Sequence, residues 1–176
     1  MRFAPTDIAG VVVVELDPAT DARGFFARAH CPEEFAAAGF PFTPVQTSLS
    51  RNHRAGTLRG LHYQPPPWAE AKLVRAVRGR AFDVAVDLRT ESPTHRRWTA
   101  AELSAETGRA LLIPAGVAHG FLTLEDDTDI LYQIDRAFAP GHERGLRWND
   151  PAFSVDWPRP PTVISDRDAA YPDYES

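Results

Sequence analysis

One lysine stands apart among the residues of this chain that could do chemistry. Of the 19 lysine and arginine residues, 18 are arginine and only Lys72 is lysine. The sequence therefore uses arginine wherever a generic positive charge suffices, and we interpret Lys72 as selected for a specific task. Its ammonium is compact and rotatable, and arginine cannot replace it in that role. In a dry cavity this ammonium would stabilise negative charge that develops on an enolate oxygen.

A histidine and an arginine lie three residues apart in Leu58–Tyr63, a segment that reads as a strand. In a regular strand this odd spacing points Arg59 and His62 to opposite faces. Gly60 lies between them, and glycine within a strand often marks a bulge. Such a bulge would turn both side chains toward one cavity. Without it, His62 is more simply a structural or surface histidine.

A second histidine, His119, ends the turn 113–119, where proline and glycine fix the bend and His119 is predicted to begin a new strand. This proline-x-glycine-x-x-histidine pattern resembles the second conserved motif of cupins. Metal-binding cupins also carry a His-x-His pair and a downstream glutamate in their first motif. Here Tyr63 and Gln64 follow His62. Because too few ligands converge for a metal site, the sequence predicts neither a metal nor a cofactor.

This set of side chains favours chemistry that uses a base, an acid and an oxyanion stabiliser, the minimum for removing a proton beside a carbonyl. His62 is the candidate base and Lys72 the candidate oxyanion stabiliser. Tyr132 shares a strand face with Ile130 and Ile134. It either returns a proton from the opposite side of the substrate or is an ordinary core aromatic. The pattern alone leaves both interpretations open.

The elements that must position these residues are short apolar segments punctuated by turns, which predict an all-β fold. The eight predicted strands are Val11–Leu16, Val45–Arg51, Leu58–Tyr63, Leu73–Arg78, Ala81–Leu88, Ala110–Ile113, Gly120–Leu124 and Ile130–Arg136. Eight strands suffice for a jelly roll, and we predict a cupin-type β-barrel as a single domain over residues 1–176. A short helix is predicted over 32–39. The proline-rich tail from Trp157 is expected to wrap over the barrel with little regular structure.

The predicted strand Ala81–Leu88 has two unlike faces. Asp83 and Asp87 lie on one face, and four apolar side chains lie on the other. The acidic face points either to solvent or to the lumen of the barrel.

Composition restricts the classes of function. The net charge of −5, without a basic run, makes nucleic acid an unexpected partner. No stretch approaches the roughly 20 apolar residues that span a bilayer, so no membrane association is expected. The single cysteine, Cys31, permits no internal disulfide, and a cytoplasmic location is the simplest interpretation.

Five ordered segments together resemble the dTDP-4-dehydrorhamnose 3,5-epimerase family, and the likeness extends over nearly the whole chain. These segments are Arg23–Phe26, Leu58–Gln64, Lys72–Val74, Ile113–Phe121 and Glu143–Pro151. The resemblance implies a homodimeric jelly roll that epimerises a nucleotide-linked 4-keto-6-deoxy sugar at C3 and C5. It implies that His62 is the base and that Asp168 holds its tautomer. It further implies that Lys72 stabilises the enolate and that Tyr132 is the acid.

The resemblance also implies a nucleotide-sugar site, with arginines and a histidine around the diphosphate. Its predicted members are Arg23, Phe26, Gln46, Arg59, His119, Glu143 and Arg167. Three further positions depart from the family pattern. Arg28 stands where many relatives have a glutamate, Ser48 replaces an asparagine, and Phe138 replaces a tyrosine that stacks on the base.

These departures leave the identity of the nucleotide and of the sugar open. Two alternatives to double epimerisation therefore remain. One is inversion at a single carbon, C3 or C5, of another nucleotide sugar. The other is a non-catalytic cupin that only binds a nucleotide sugar, although such a binder would need no base and acid.

Overall fold

The computed structural model of the chain describes residues 1–174, which form thirteen strands and two short helices. The strands are β1 (Arg2–Pro5), β2 (Val12–Glu15), β3 (Ala19–Asp21), β4 (Gly24–Phe26), β5 (Gln46–Asn52), β6 (Leu58–Tyr63), β7 (Lys72–Arg78), β8 (Arg80–Asp87), β9 (Trp98–Ser104), β10 (Ala110–Ile113), β11 (Val117–Thr123), β12 (Thr128–Ile134) and β13 (Arg144–Gly145). The helices are α1 (Pro32–Ala37) and α2 (Asp166–Ala169).

Two antiparallel sheets form the body of the fold. The first has the strand order β1-β2-β10-β7-β12-β5 and the second the order β13-β6-β11-β8-β9. Their inner faces share one hydrophobic core, to which Val74 and Ile130 of the first sheet and Ala85 and Phe121 of the second belong. The all-β prediction is therefore confirmed, with the two-sheet packing of a jelly roll. A separate hairpin, β3–β4, pairs with neither sheet within the described residues.

All eight predicted strands exist, but the prediction missed β1, β3, β4, β9 and β13. The predicted boundary of one strand was wrong in a way that matters for the site. β11 begins at Val117 instead of at His119 or Gly120, so His119 lies inside a buried strand instead of at its start. The chain enters the sheet directly after the turn at Gly116, whose φ of +83° suits glycine.

Strand β8 is buried on both faces, which explains its unusual pattern. Val84 and Val86 face outward and are covered by the C-terminal part of the chain, including Phe153 and Trp157. The acidic face points inward, since Asp83 pairs with Phe121 of the core. The lumen alternative for the acidic face is therefore the correct one.

The C-terminal segment wraps over the second sheet as predicted, yet it is more ordered than expected. It includes helix α2, where the Ser165 hydroxyl accepts a hydrogen bond from the Asp168 amide at 3.1 Å and caps the helix. The predicted helix after Cys31 is present as α1, and Gly39 with φ of +86° follows its C-terminal end. Within residues 1–174, no helix is long and apolar enough to cross a membrane.

Candidate active site

The inner faces of the two sheets carry most of the predicted site residues. In the first sheet Lys72 pairs with Ile134, Tyr132 pairs with Val74 and with Ser48, and Gln46 pairs with Ile134. Paired residues in antiparallel strands share a face. Because Val74 belongs to the core between the sheets, the side chains on its face point toward the second sheet.

The second sheet contains a bulge at Gly60. Arg59 pairs with Phe121 and His62 pairs with His119, so three steps along β6 match two steps along β11. The extra residue puts Arg59 and His62 on the same face despite their odd spacing. Gly60 has φ of +127°, and a Cβ there would lie 2.5 Å from the Gly120 Cα. Only glycine fits this crossing of two backbones.

His62 is hydrogen-bonded to Asp168. Its Nε2 atom lies 2.8 Å from Asp168 Oδ1, and the Gly60 amide donates to Asp168 Oδ2 at 3.2 Å. Burial alone would raise the pKa of Asp168, but the hydrogen bonds and the charge of His62 outweigh burial and lower it. An ionised Asp168 favours the tautomer with a proton on Nε2. The Nδ1 atom of His62 is then the atom available as a base.

Lys72 lies at one side of a cavity of about 250 Å³ that His62 also lines. The Lys72 ammonium is 3.1 Å from Glu70 Oε1, and the Gln64 amide donates to Glu70 Oε2 at 2.7 Å. Only 11% of the Lys72 side chain and 8% of the Glu70 side chain are exposed. The hydrogen bond from Gln64 to Glu70 and the ion pair between Glu70 and Lys72 therefore fix the ammonium at the cavity wall. The low dielectric there strengthens the effect of its charge on a nearby oxygen.

A second histidine–aspartate pair lies deeper, between the two sheets. His119 Nε2 is 2.8 Å from Asp83 Oδ1, and both residues are almost completely buried. Burial raises the pKa of Asp83, against the opposing effects of His119 and Lys72. Among residues 1–174, Asp83 Oδ2 has no hydrogen-bond partner.

The Tyr132 ring contacts the His119 ring at a centroid distance of 5.7 Å and an interplanar angle of 78°. Burial, together with the charge of Asp83, raises the pKa of Tyr132 far above the usual value for a phenol. The hydroxyl therefore stays protonated. A group that delivers a proton as an acid must be in this state before it reacts.

The cavity mouth is formed by residues from the loop after β12 and from the C-terminal segment. Phe138, Glu143 and Arg167 line it, and Arg167 lies 3.3 Å from Glu143. Phe138 is half exposed, and its amide donates to the Gln46 side chain at 3.0 Å. The Gln46 amide in turn lies 3.3 Å from the Ser48 hydroxyl. The predicted residues Gln46, Ser48, Phe138, Glu143 and Arg167 thus belong to one connected region.

The other predicted binding residues lie elsewhere in this chain. Arg23 and Phe26 are in the β3–β4 hairpin and line a separate cavity of about 370 Å³. Arg28 is exposed and pairs with Glu34 of α1. Arg59 shares the inner face with His62 but lines a neighbouring cavity, and its Nε donates to the Asn52 side chain at 2.8 Å. One copy of the chain therefore does not bring the whole predicted nucleotide site together.

Asp83 and Glu70 belong to this region but were not in the predicted set, and neither were Tyr63 and Gln64, which also line the cavity. Asp83 was noticed only as part of an acidic strand face, because the alternation of β8 could not say which face is the lumen. Glu70 gave no periodic signal, since it lies in the loop before β7. Its position two residues before the single lysine is the one feature of the sequence that could have found it. Within residues 1–174, no three histidine, cysteine, aspartate or glutamate side chains cluster as metal ligands.

Two facing antiparallel sheets with titratable side chains gathered between them define a cupin-type jelly roll. Residues 5–176 match the family model described as dTDP-4-dehydrorhamnose 3,5-epimerase. This chain belongs to the dTDP-4-dehydrorhamnose 3,5-epimerase family, as its five sequence segments predicted.

Similar proteins include both double and single epimerases. The chain is 43% identical to a dTDP-4-dehydrorhamnose 3,5-epimerase of Sinorhizobium fredii, over 98% of this chain and 89% of the relative. It is 36% identical to a dTDP-4-dehydrorhamnose 3-epimerase of Streptomyces niveus, over 96% and 81% of the two chains. The crystal structure of the Bacillus anthracis 3,5-epimerase with TDP and PPi bound has a TM-score of 0.95 and 36% identity, covering 98% of this chain and 99% of that one.

Proposed function

We propose that this protein epimerises a dTDP-linked 4-keto-6-deoxy sugar at C3 and C5, converting dTDP-4-dehydro-6-deoxyglucose to dTDP-4-dehydrorhamnose. The observation that carries the proposal is the cavity where the hydrogen-bonded pair of His62 and Asp168 lies beside the single lysine. Tyr132, on the inner face of the opposing sheet, supplies the acid. A protein that only binds a nucleotide sugar would need none of these four groups.

The reaction follows from the protonation states at the site. His62 Nδ1 removes the proton from the carbon beside the ketone, and the electron pair moves to the carbonyl oxygen to form an enolate. Asp168, kept ionised by its lowered pKa, stabilises the imidazolium that results. The Lys72 ammonium stabilises the enolate oxygen. Tyr132 then donates its proton to the opposite face of the carbon, and solvent restores both groups for the next step.

The nucleotide half of the substrate is assigned to the cavity mouth. The Arg167 guanidinium suits a diphosphate because its planar donors bind two oxygens at once. Phe138 offers an aromatic face to the base, without the hydroxyl that a tyrosine would add. His119, another expected phosphate contact, is buried against Asp83. We therefore assign it a place beside Tyr132 in the interior.

A homodimer belongs to the same proposal. The β3–β4 hairpin pairs with neither sheet within the described residues, and its Phe26 and Phe25 are 80% and 53% exposed. Strand β5 is an edge strand on which Leu49 is 58% exposed. If a second copy of the chain received this hairpin, the exposed apolar side chains would become buried. Arg23 and Phe26 of the first copy would then reach the cavity of the second.

Analytical ultracentrifugation of the wild type and of Phe26→Ser tests the dimer. We expect a dimer that Phe26→Ser weakens, together with weaker binding of dTDP. A wild-type monomer with full activity would contradict this part of the proposal.

We also assign the protein to the cytoplasm, because its single cysteine, Cys31, leaves no internal disulfide to form.

The experiment that tests the proposed function is incubation of the wild-type protein with dTDP-4-dehydro-6-deoxyglucose in deuterated water. We expect deuterium at both C3 and C5 of the product, measured by NMR and mass spectrometry. Label at C3 alone would assign the protein to single epimerases such as the relative from Streptomyces niveus. Absence of exchange with this substrate and with other nucleotide-linked 4-keto sugars would favour a protein that only binds them.

A further inference from the structure

The C-terminal segment contacts His62 at a second point that the proposed chemistry does not use. Two residues after helix α2, the Tyr171 ring lies against the imidazole of His62 at a centroid distance of 6.1 Å and an interplanar angle of 75°. The Arg167 guanidinium faces the same ring at 5.8 Å. Tyr171 is therefore enclosed between the proposed base and a residue of the cavity mouth.

Strand β13, the neighbour of β6, has a glycine at the position where the Tyr171 ring needs space. Gly145 in β13 pairs directly with His62, so a side chain at position 145 would point to the same face as the imidazole. A Cβ at Gly145 would lie 2.0 to 2.5 Å from three carbons of the Tyr171 ring. The ring thus occupies the volume that a side chain on the neighbouring strand would fill.

We propose that Tyr171 is a positioning residue that fixes the ring plane of His62 for proton transfer. The reason is geometric. The bond to Cβ and the single hydrogen bond from Nε2 to Asp168 fix two points of the imidazole and leave the ring able to tilt about the line that joins them. The His62 side chain is 41% exposed and lines the cavity, so it has space for this tilt. The Tyr171 ring, nearly perpendicular to the imidazole, supplies a further contact that limits this tilt, and Nδ1 then points in one direction.

This inference rests on the proposed function, because it assigns a role relative to His62 as the base. It concerns the ring of Tyr171 and not its hydroxyl. A conservative change that keeps the ring must therefore preserve the rate, and any change that moves the ring must lower it.

Three variants test the inference, with steady-state kinetics and deuterium exchange as measurements. For Tyr171→Ala we expect kcat to fall roughly 10- to 100-fold with little change in KM, because misplacing a reacting group by about 1 Å has an effect of that size. Tyr171→Phe should restore kcat to within about twofold of the wild type, because the ring remains. Gly145→Ala should reproduce the loss seen in Tyr171→Ala, because its methyl group displaces the ring.

The double variant Gly145→Ala/Tyr171→Ala gives the sharpest test. If both single changes act by moving one ring, the double variant loses no more than either single one, so the effects are not additive. Thermal unfolding identifies variants that fail to fold, and Tyr171→Leu replaces Tyr171→Ala if that variant does not fold.

An unchanged kcat in folded Tyr171→Ala would overturn the inference, and so would additive losses in the double variant. A wild-type protein that catalyses no exchange would overturn the proposed function instead, so the two failures are distinguishable.

Discussion

Replacing Asp168 with asparagine removes the negative charge beside His62, the proposed base. The shape of the side chain at position 168 stays nearly the same. Asp168 is almost completely buried, and its two oxygens accept from His62 at 2.8 Å and from the Gly60 amide at 3.2 Å. An asparagine fits the same space, but it presents one oxygen and one amide group. If the amide group faces Nε2, it donates a hydrogen bond to that atom, which must then carry no proton, so the proton of the imidazole is on Nδ1. The base is then in the wrong tautomer.

The expected loss has two limits. A hydrogen bond to a charged group contributes about 1.5–3 kcal/mol, which at about 1.4 kcal/mol per factor of ten corresponds to roughly 10- to 150-fold in rate. Locking the wrong tautomer costs about 10⁴-fold in a catalytic triad of comparable design. We therefore expect kcat of Asp168→Asn to fall by between about 10-fold and about 10⁴-fold. KM should change far less, because the predicted diphosphate contacts lie elsewhere.

The assay is deuterium exchange into the substrate together with steady-state kinetics. Asp166→Asn is the matched control, because Asp166 lies on the same short helix and is exposed. It should retain the wild-type rate. If Asp168→Asn also kept the wild-type rate while remaining folded, the hydrogen bond between Asp168 and His62 would have no role in proton transfer.

Three other predictions address separate parts of the account. Tyr132→Phe should still exchange deuterium into recovered substrate but should lose inverted product more steeply than it loses exchange, because the enolate forms without an acid on the opposite face. Mass spectrometry of substrate and product measures both quantities. Undiminished inversion would show that another group is the acid. Lys72→Met should lower kcat about 10²-fold or more and reduce stability by leaving Glu70 buried and unpaired. Adding Glu70→Gln should recover the thermal stability but not kcat, whereas recovery of kcat would remove the lysine from catalysis. Asp87→Asn should lower the free energy of unfolding by about 1.5–3 kcal/mol at neutral pH. Because the pKa of Asp87 is lowered in the folded state, this difference should be full above pH about 4 and decrease as the pH falls further; a constant difference between pH 7 and pH 2 in chemical denaturation would contradict it.

The strands that carried strong apolar periodicity could be predicted from the sequence, and those defined by their neighbours could not. Strand β9 contains two alanines and a glutamate, which have little preference for strands. Its extended conformation is fixed because all seven of its residues pair with β8. Strand β13 has two residues and exists only through its contact with β6. No local pattern of that length distinguishes a strand from a loop.

The site residues also divide into those with a local sequence signal and those placed by contacts that are distant in the sequence. The bulge at Gly60 was predictable because a glycine lay between two chemically interesting residues at an odd spacing. Helix α2 also had a local signal, since Ser165 is followed three residues later by Asp168, but the nearby prolines obscured it. The place of Arg23 and Phe26 was not predictable, because the hairpin that carries them depends on what it packs against. The contact of Tyr171 with His62 likewise depends on a long-range arrangement of the C-terminal segment that no local motif predicts.

The central claim is that His62 removes the proton from the carbon beside the ketone. The most direct measurement compares wild type and His62→Asn for deuterium incorporation from deuterated water into dTDP-4-dehydro-6-deoxyglucose, with dTDP binding measured in parallel. We expect the folded variant to bind dTDP with near-normal affinity and to incorporate no deuterium at C3 or C5. Exchange at a rate close to that of the wild type would contradict the claim and assign the base to another residue.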